Sequence, residues 1–209
     1  MPNLKDLKTR IDSVKSTQKI TSAMKMVAAA KLRRAQESAE GARPYAIRME
    51  RMLNSLSQSV GGSEGAPKLM TGTGSDNTHL LVAFTADRGL CGGFNGSIVR
   101  QVRSMAQELR AEGKAVKIFC IGRKGHDVLK REFPDDVVDY IEGLGRRSIE
   151  YQDAHRISQT IIDLFETGNF DICTIIFNQF QSAMTQIVTP QKIIPFEPAE
   201  IAVNEEEGH

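Results

Sequence analysis

Residues 4–58 read LKDLKTRIDSVKSTQKITSAMKMVAAAKLRRAQESAEGARPYAIRMERMLNSLSQ, and their apolar side chains recur at alternating steps of three and four. A seam with this period is typical of a helix that pairs with another helix. The seam residues are Leu4, Leu7, Ile11, Val14, Ala28, Leu32, Leu53 and Leu56. An unbroken helix of this length would extend roughly 80 Å at 1.5 Å per residue. We therefore predict a helix that projects from the rest of the protein.

Local signals within this helix refine the prediction. Polar residues interrupt the seam at Gln18, Thr21 and Lys25. Asn3 is a candidate N-terminal cap. Pro44 removes one backbone donor, but the apolar register continues on both sides of it, so we expect a kink and not an end.

Charge is distributed unevenly along the chain. Residues 1–60 hold 12 Lys/Arg against 5 Asp/Glu, a net of +7, whereas residues 61–209 hold 15 against 21, a net of −6. The predicted helix is therefore basic, and we expect it to meet an acidic surface. No apolar run has the length of a membrane span, and the N-terminus lacks the features of a signal or transit peptide. Three scattered cysteines indicate free thiols in a reducing compartment, so we expect a cytoplasmic location.

The rest of the chain changes to short apolar runs that alternate with amphipathic segments. The runs at 78–85, 116–121, 137–141 and 170–177 predict strands, with further extended pieces at 186–188 and 192–194. Between them we predict one helix capped by Asn95 or Ser97 and ending at Gly113, a short helix at 124–131, and one that starts at Asp153. This alternation predicts an α/β domain with a largely parallel sheet.

The loop at 87–96, DRGLCGGFNG, follows a predicted strand and precedes a predicted helix. Nucleotide-binding folds place a phosphate cradle at this position. However, the glycine spacing does not fit the dinucleotide fingerprint, and no Gly-Lys-Ser/Thr follows as a P-loop requires. We therefore favour a sharp turn with close packing, and phosphate binding is the alternative.

Residue types that carry chemistry are isolated from one another. A helix N-terminus near Cys91 would favour its thiolate, but no histidine can be assigned as a base. The histidines show no metal-ligand spacing; they are His79, His126, His155 and His209. We predict no catalytic residue, no cofactor and no metal site.

Three segments together carry a family resemblance. Residues 16–31 (STQKITSAMKMVAAAK), Arg43-Pro44-Tyr45 and residues 87–95 (DRGLCGGFN) closely resemble the gamma subunit of F-type ATP synthases, and the likeness covers essentially the whole chain. It implies a long N-terminal coiled-coil helix joined to a Rossmann-like α/β domain. It also implies a non-catalytic central-stalk rotor that couples rotation of the c-ring to ATP synthesis or hydrolysis in the alpha/beta hexamer and helps to regulate activity.

The resemblance also implies partners and contact residues. The partners would be the alpha and beta subunits, the epsilon subunit and the c-ring, with no nucleic acid. The protein would lie at the cytoplasmic face of the bacterial inner membrane, attached only through the complex. Contacts with the hexamer are expected at Thr17, Gln18, Lys19, Met24, Lys25, Lys31, Arg33, Arg34, Arg88 and Cys91.

The family pattern includes a second long helix near the C-terminus, and we expect that helix to be lacking here because the sequence ends in EEEGH. The predicted organisation is a helix at 1–60, a linker at 61–77, a Rossmann-like domain at 78–200 and an acidic tail at 201–209.

Two other function classes remain open from the residues alone. One is a nucleotide-binding α/β enzyme with a helical dimerisation arm, which would bind a nucleotide through the glycine loop. The other is a basic coiled-coil adaptor for nucleic acid or an acidic membrane surface, which would show a steep salt dependence of binding.

Overall fold

A computed structural model describes residues 3–60, 66–144, 149–182 and 184–197. The chain forms two units, which divide between Leu56 and Ser57. The predicted acidic tail at 201–209 and part of the predicted linker, residues 61–65, lie outside the described residues.

Helix α1 spans Leu4–Val60 without interruption. Its 57 residues correspond to a length of about 85 Å. The predicted cap is confirmed, since Asn3 Oδ1 accepts a hydrogen bond from Lys5 N at 3.3 Å. The helix continues through Pro44, and the kink at this residue stays a prediction.

The second unit alternates helices and strands as predicted. Its elements are α2 (Lys68–Thr71), β1 (Thr78–Phe84), α3 (Phe94–Ala111), β2 (Ala115–Ile121), α4 (Arg123–Glu132), β3 (Val137–Ile141), α5 (Tyr151–Glu166), β4 (Ile172–Phe180) and β5 (Gln186–Ile194). The sheet order is β3-β2-β1-β4-β5. Strands β1 to β4 run parallel and β5 is antiparallel to β4. The predicted α/β fold with a largely parallel sheet is confirmed.

The core lies on both faces of the sheet. On one face, α3 and α4 pack Ile98 and Leu129 against Leu81 of β1. On the other face, α5 packs Phe165 against the neighbouring Leu80. Successive residues of β1 are therefore both buried, which is why this strand reads as a continuous apolar run.

Three local predictions differ from the structure, and one short helix was not predicted. Helix α5 begins at Tyr151 with Glu150 as its N-cap, not at Asp153. Helix α3 is preceded by Gly93 as its N-cap, not by Asn95 or Ser97, because the Asn95 side chain is bonded to Ala86 N instead. The two extended pieces near the end form the single strand β5. The one-turn helix α2 was not predicted, since four residues are too few for a periodic signal.

Candidate partner-contact surfaces

Eight of the predicted contact residues lie on α1, and all eight are exposed. Three lysines show how these contact residues are arranged around the helix. Lys19, Lys25 and Lys31 follow one another at intervals of six residues. At 3.6 residues per turn, six residues rotate the side-chain direction by roughly 240°, so the three lysines point about 120° apart around the axis. The positive charge therefore encircles the helix and does not form one flat face.

The polar contacts of these residues within α1 are weak or local. Arg33 Nε lies 2.8 Å from Glu37 Oε1, with the two side chains 83% and 59% exposed. An exposed pair at this spacing is worth only about 0.3–0.5 kcal/mol, so a partner carboxylate could replace Glu37 at small cost. The Thr17 hydroxyl donates to Ser13 O at 3.0 Å and is used inside the helix.

The apolar seam is largely open to solvent within this single chain. Leu4 is 76% exposed and Val14 is 68% exposed, whereas Leu53 is half-buried. Leu7, Ile11, Ala28, Leu32 and Leu56 are also exposed. Apolar exposure of this extent along one helix marks an interaction surface.

The other two predicted contact residues, Arg88 and Cys91, lie in the loop between β1 and α3 and are exposed. The loop is anchored by the preceding residue, Asp87. One oxygen of its carboxylate accepts a hydrogen bond from Arg123 N at 3.0 Å, and the other accepts one from Gly143 N at 2.7 Å. Asp87 therefore ties together the chain segments that follow β1, β2 and β3.

Thr85 makes a second connection between β1 and α4. Its hydroxyl donates to Ile121 O at 3.0 Å and accepts from Gly125 N at 2.9 Å. Two glycines permit this close approach. A Cβ atom on Gly122 would lie 2.2 Å from Thr85 O, and one on Gly125 would lie 2.5 Å from Thr85 Oγ1.

Asn95 closes the loop on its α3 side. Its Oδ1 accepts from Ala86 N at 2.8 Å, and its Nδ2 donates to Arg88 O at 3.3 Å and contacts Cys91 Sγ at 3.2 Å. Between these anchors, Leu90 is fully exposed with a positive φ of 61°. A leucine in this conformation is strained.

The amide groups at the start of α4 are already in use. Arg123 N donates to Asp87, Lys124 N donates to Ala86 O, and Gly125 N donates to Thr85. A phosphate at a helix N-terminus would need such amide groups, so these bonds argue against a phosphate at the start of α4. They do not involve the start of α3, and phosphate binding by the loop at 87–96 therefore stays an alternative.

The reactive side chains are not assembled into a site in the described part of the chain. Burial raises the pKa of Cys120 and of Cys173 to about 12, so these thiols stay protonated in the core. Within the described ranges, no three His, Cys, Asp or Glu residues come together as a metal site.

Sequence reasoning identified the loop but not the residues that hold it. Asp87 and Thr85 could be suspected only as polar residues that directly follow a buried strand. Their partners are 36 to 56 residues away, and the exposure of Leu90 had no sequence signal.

The fold and its exposed surfaces define a class: a long basic helix joined to an α/β unit with a largely parallel sheet. The ATP synthase family model matches residues 3–209, and the chain belongs to that family.

Similar proteins agree with this assignment. The ATP synthase gamma chain of Rhodospirillum rubrum is 60% identical over 196 residues, which cover 94% of this chain and 66% of that protein. The gamma chain of Paramagnetospirillum magneticum is 52% identical over 208 residues, covering 100% and 71%. The chain thus spans about two thirds of the length of the curated relatives it matches.

A solved structure is similar as well. A chain from the cryo-EM structure of the Tetrahymena thermophila mitochondrial ATP synthase, central stalk and c-ring, aligns with a TM-score of 0.66 and 31% identity. The alignment covers 84% of this chain and 72% of that chain.

Proposed function

We propose that this chain is a non-catalytic rotor subunit of the central stalk of an F-type ATP synthase. It couples rotation of the c-ring to ATP synthesis or hydrolysis in the alpha/beta hexamer. Its partners are the alpha, beta and epsilon subunits and the c-ring, and ATP chemistry belongs to the other subunits.

The distribution of positive charge around the axis of α1 is the observation that carries this proposal. Lys19, Lys25 and Lys31 point in three directions about 120° apart, which suits a partner that surrounds the helix. In addition, Arg33 gives up little when it exchanges Glu37 for another carboxylate. Exposed charge contacts give energy that depends on orientation without permanent docking, as a rotating contact requires.

The proposed location follows from the complex. No helix in the described ranges is long and apolar enough to cross a membrane. We infer that the chain lies at the cytoplasmic face of the bacterial inner membrane and reaches the membrane through the c-ring.

The test compares two triple variants of α1 in ATP synthase assembled with this chain. K25Q/R33Q/R34Q removes three positive charges inside the proposed contact segment, and R43Q/R48Q/R51Q removes three exposed charges elsewhere on the same helix. The measurement is the ratio of proton pumping to ATP hydrolysis in vesicles, together with thermal stability. We expect the first variant to lower the ratio and the second to leave it near that of the parent chain.

Equal losses of coupling in both variants, or losses that follow thermal stability, would contradict the proposal. In that case the three residues support the helix and do not contact a partner. ATP turnover by the purified chain alone would contradict the non-catalytic assignment.

A further inference from the structure

The seam of α1 is complementary to a second copy of itself. Its steps of three and four continue without a break through sixteen positions from residue 4 to residue 56, and apolar residues occupy all but three of them. Fifteen of the sixteen residues are exposed, and Leu53 is half-buried. Exposed apolar residues with this period are typical of a helix that pairs with another helix. The order of large, small and polar residues along the seam indicates which helix fits it.

An antiparallel pair of α1 helices matches large residues with large ones. When two helices run in opposite directions, the numbers of the residues that face each other have a constant sum. At a sum of 60, every one of the sixteen seam positions meets another seam position. The apolar layers that result are Leu4 with Leu56, Leu7 with Leu53, Ile11 with Met49, Val14 with Ala46 and Ala28 with Leu32.

The polar interruption of the seam fits the same register, because each polar residue meets an alanine. An alanine leaves space in which a longer side chain can extend to water. The Thr21 hydroxyl donates to Thr17 O at 2.9 Å, so its polar atom has a partner within its own helix. The polar layers are Gln18 with Ala42, Thr21 with Ala39 and Lys25 with Ala35.

A parallel pair would be unfavourable for electrostatic reasons. In that arrangement each seam residue faces its own counterpart, so Lys25 would face Lys25 of the second copy. Residues 1–34 hold 9 Lys/Arg against 2 Asp/Glu, and residues 35–60 hold 3 of each. A parallel pair would place the two basic halves side by side, whereas an antiparallel pair places each basic half beside a neutral one. Like charges at a pairing surface select against the wrong orientation.

The residues select the register as well as the direction. A shift by one heptad, to a sum of 67, places Leu4 opposite residue 63, which lies beyond the end of α1. The same shift places Gln18 against Met49. A polar side chain that packs against a large apolar one loses contact with water, which costs free energy. The register with a sum of 60 pairs every apolar seam residue and keeps all three polar residues against alanine.

We propose that two copies of this chain pair through α1 as an antiparallel coiled coil, in the register whose facing residue numbers sum to 60. One consequence rests on the proposed function. Gln18 and Lys25 face the second copy in this pair, and both are also expected contacts with the alpha/beta hexamer. Paired copies cannot use these two residues to bind the hexamer, so the dimer must separate before assembly.

Disulfide cross-linking of the full chain tests direction and register together. Every variant carries C91S, and the single cysteines I11C, Q18C and M49C are introduced separately. The chains are mixed in pairs and oxidised. We expect I11C to cross-link with M49C, because these two positions share a layer. We expect Q18C with M49C, and I11C with itself, to cross-link at least about tenfold more slowly, since their Cα atoms lie too far apart for a disulfide.

Sedimentation of the full chain measures self-association without cross-linking. I11N/L32N replaces two exposed apolar residues of the seam, and M26N/V27N replaces two exposed apolar residues elsewhere on the same helix. Each substitution is present in both copies of the pair. We therefore expect I11N/L32N to weaken self-association by about a hundredfold or more, and M26N/V27N to change it by less than about threefold. Far-UV circular dichroism shows whether both variants keep the helix.

The contrary outcomes are distinct. The inference is overturned if the parent chain stays monomeric at about 100 μM, because the seam then serves a different helix. Cross-linking of I11C with itself would show a parallel pair, and preferential cross-linking of Q18C with M49C would show the shifted register; either result also overturns it. Equal weakening by the two double variants would do the same.

A last arm separates the pairing from the proposed function. Alpha/beta hexamer purified without its own gamma chain is added to the I11C and M49C mixture before oxidation. We expect the cross-linked fraction to fall as the hexamer concentration rises. If the dimer forms as described and the hexamer leaves it unchanged, the pairing stands and the proposed hexamer contacts at Gln18 and Lys25 are contradicted.

Discussion

The carboxylate of Asp171 is expected to be a principal support of the α/β unit, and its removal gives a quantitative test. Asp171 precedes β4 and holds the segment that leads into β1. Its oxygens accept hydrogen bonds from Thr73 Oγ1 at 2.7 Å, Ser75 Oγ at 3.2 Å, Asn77 N at 3.1 Å and Thr78 N at 3.0 Å. Partial desolvation opposes ionisation, but the four donors outweigh it and hold the pKa of Asp171 below its usual value of 3.8.

D171N keeps the shape and removes the charge. Hydrogen bonds to a charged group contribute about 1.5–3 kcal/mol each and are not additive, and the amide retains one acceptor oxygen. We therefore expect a loss of about 2 kcal/mol in the free energy of unfolding at pH 7. With a urea m-value of about 2 kcal/mol/M, the midpoint should fall by about 1 M.

The sign of the pH dependence follows from the depressed pKa. The stabilisation by the carboxylate is fully present above the unfolded-state pKa and is lost as pH falls through the folded-state pKa. The difference in free energy of unfolding between D171N and the parent chain should therefore become smaller between pH 7 and pH 3, by up to about 1 kcal/mol.

The assay follows urea unfolding by circular dichroism at each pH, and at pH 7 also by labelling of Cys120 and Cys173 in a C91S background. Both thiols are fully buried in the folded protein, so they react only when the α/β unit opens. D135N, at an exposed carboxylate, is the control and should leave the midpoint unchanged. A D171N deficit that stays constant from pH 7 to pH 3 would refute the reasoning, because it would show that charge has no part in these bonds.

Three further outcomes are expected. G122A should destabilise the α/β unit by about 3 kcal/mol or more, since φ is +96° and the new Cβ would meet Thr85 O at 2.2 Å. G92A, with φ +59° and open space around the new Cβ, should lower the free energy of unfolding by only about 1 kcal/mol. Equal losses of unfolding free energy for the two variants in urea would contradict this. In the native parent chain, a thiol reagent should modify Cys91 quickly, while Cys120 and Cys173, whose pKa values burial raises to about 12, stay unmodified; mass spectrometry of the labelled peptides decides it. D139V should increase self-association in sedimentation experiments, because Asp139 Oδ1 accepts a hydrogen bond from the Tyr140 amide at the β3 edge and its loss leaves that amide free to pair with another strand. A variant that stays monodisperse at the same concentration would contradict this protective role of Asp139.

The sequence allowed the strands of the α/β unit to be predicted because most of them are buried on both faces. The run at 116–121 differs from the buried strand β2 by one residue. The run at 137–141 coincides with β3, although this edge strand is mostly exposed. Strand β5 was divided because Pro190 and its polar neighbours interrupt the apolar pattern. That strand gains its continuity from pairing with β4, which is a tertiary cause that a local pattern does not contain.

The candidate surfaces were predictable to different degrees. The basic helix follows from composition alone, and the glycine loop was recognised by its position between a strand and a helix. The anchoring role of Asp87 was not predictable, because its two amide partners come from other segments that only the parallel topology brings together. The predicted N-cap of α3 was wrong for a related reason: Asn95 Oδ1 accepts a hydrogen bond from Ala86 N across the loop and not from an amide of its own helix.

The two sheet edges suggest how this chain separates protected surfaces from presented ones. At the β3 edge, Ile141 O accepts from Gly122 N, so the alternate residue Tyr140 directs its amide away from β2. Asp139 Oδ1 accepts a hydrogen bond from that amide at 2.7 Å. At the β5 edge, Pro190 has no amide to offer. Both features prevent an added strand.

The exposed leucines of α1 and Leu90 carry no comparable protection. Leu4 is 76% exposed and Leu90 is fully exposed, and each lies within two residues of a cation, Lys5 and Arg88 respectively. A sequence that blocks unwanted strand pairing at both edges while leaving these apolar positions open is consistent with selective presentation. The exposed residues of α1 and of the Arg88–Cys91 loop are therefore the surfaces on which partner binding should be sought first.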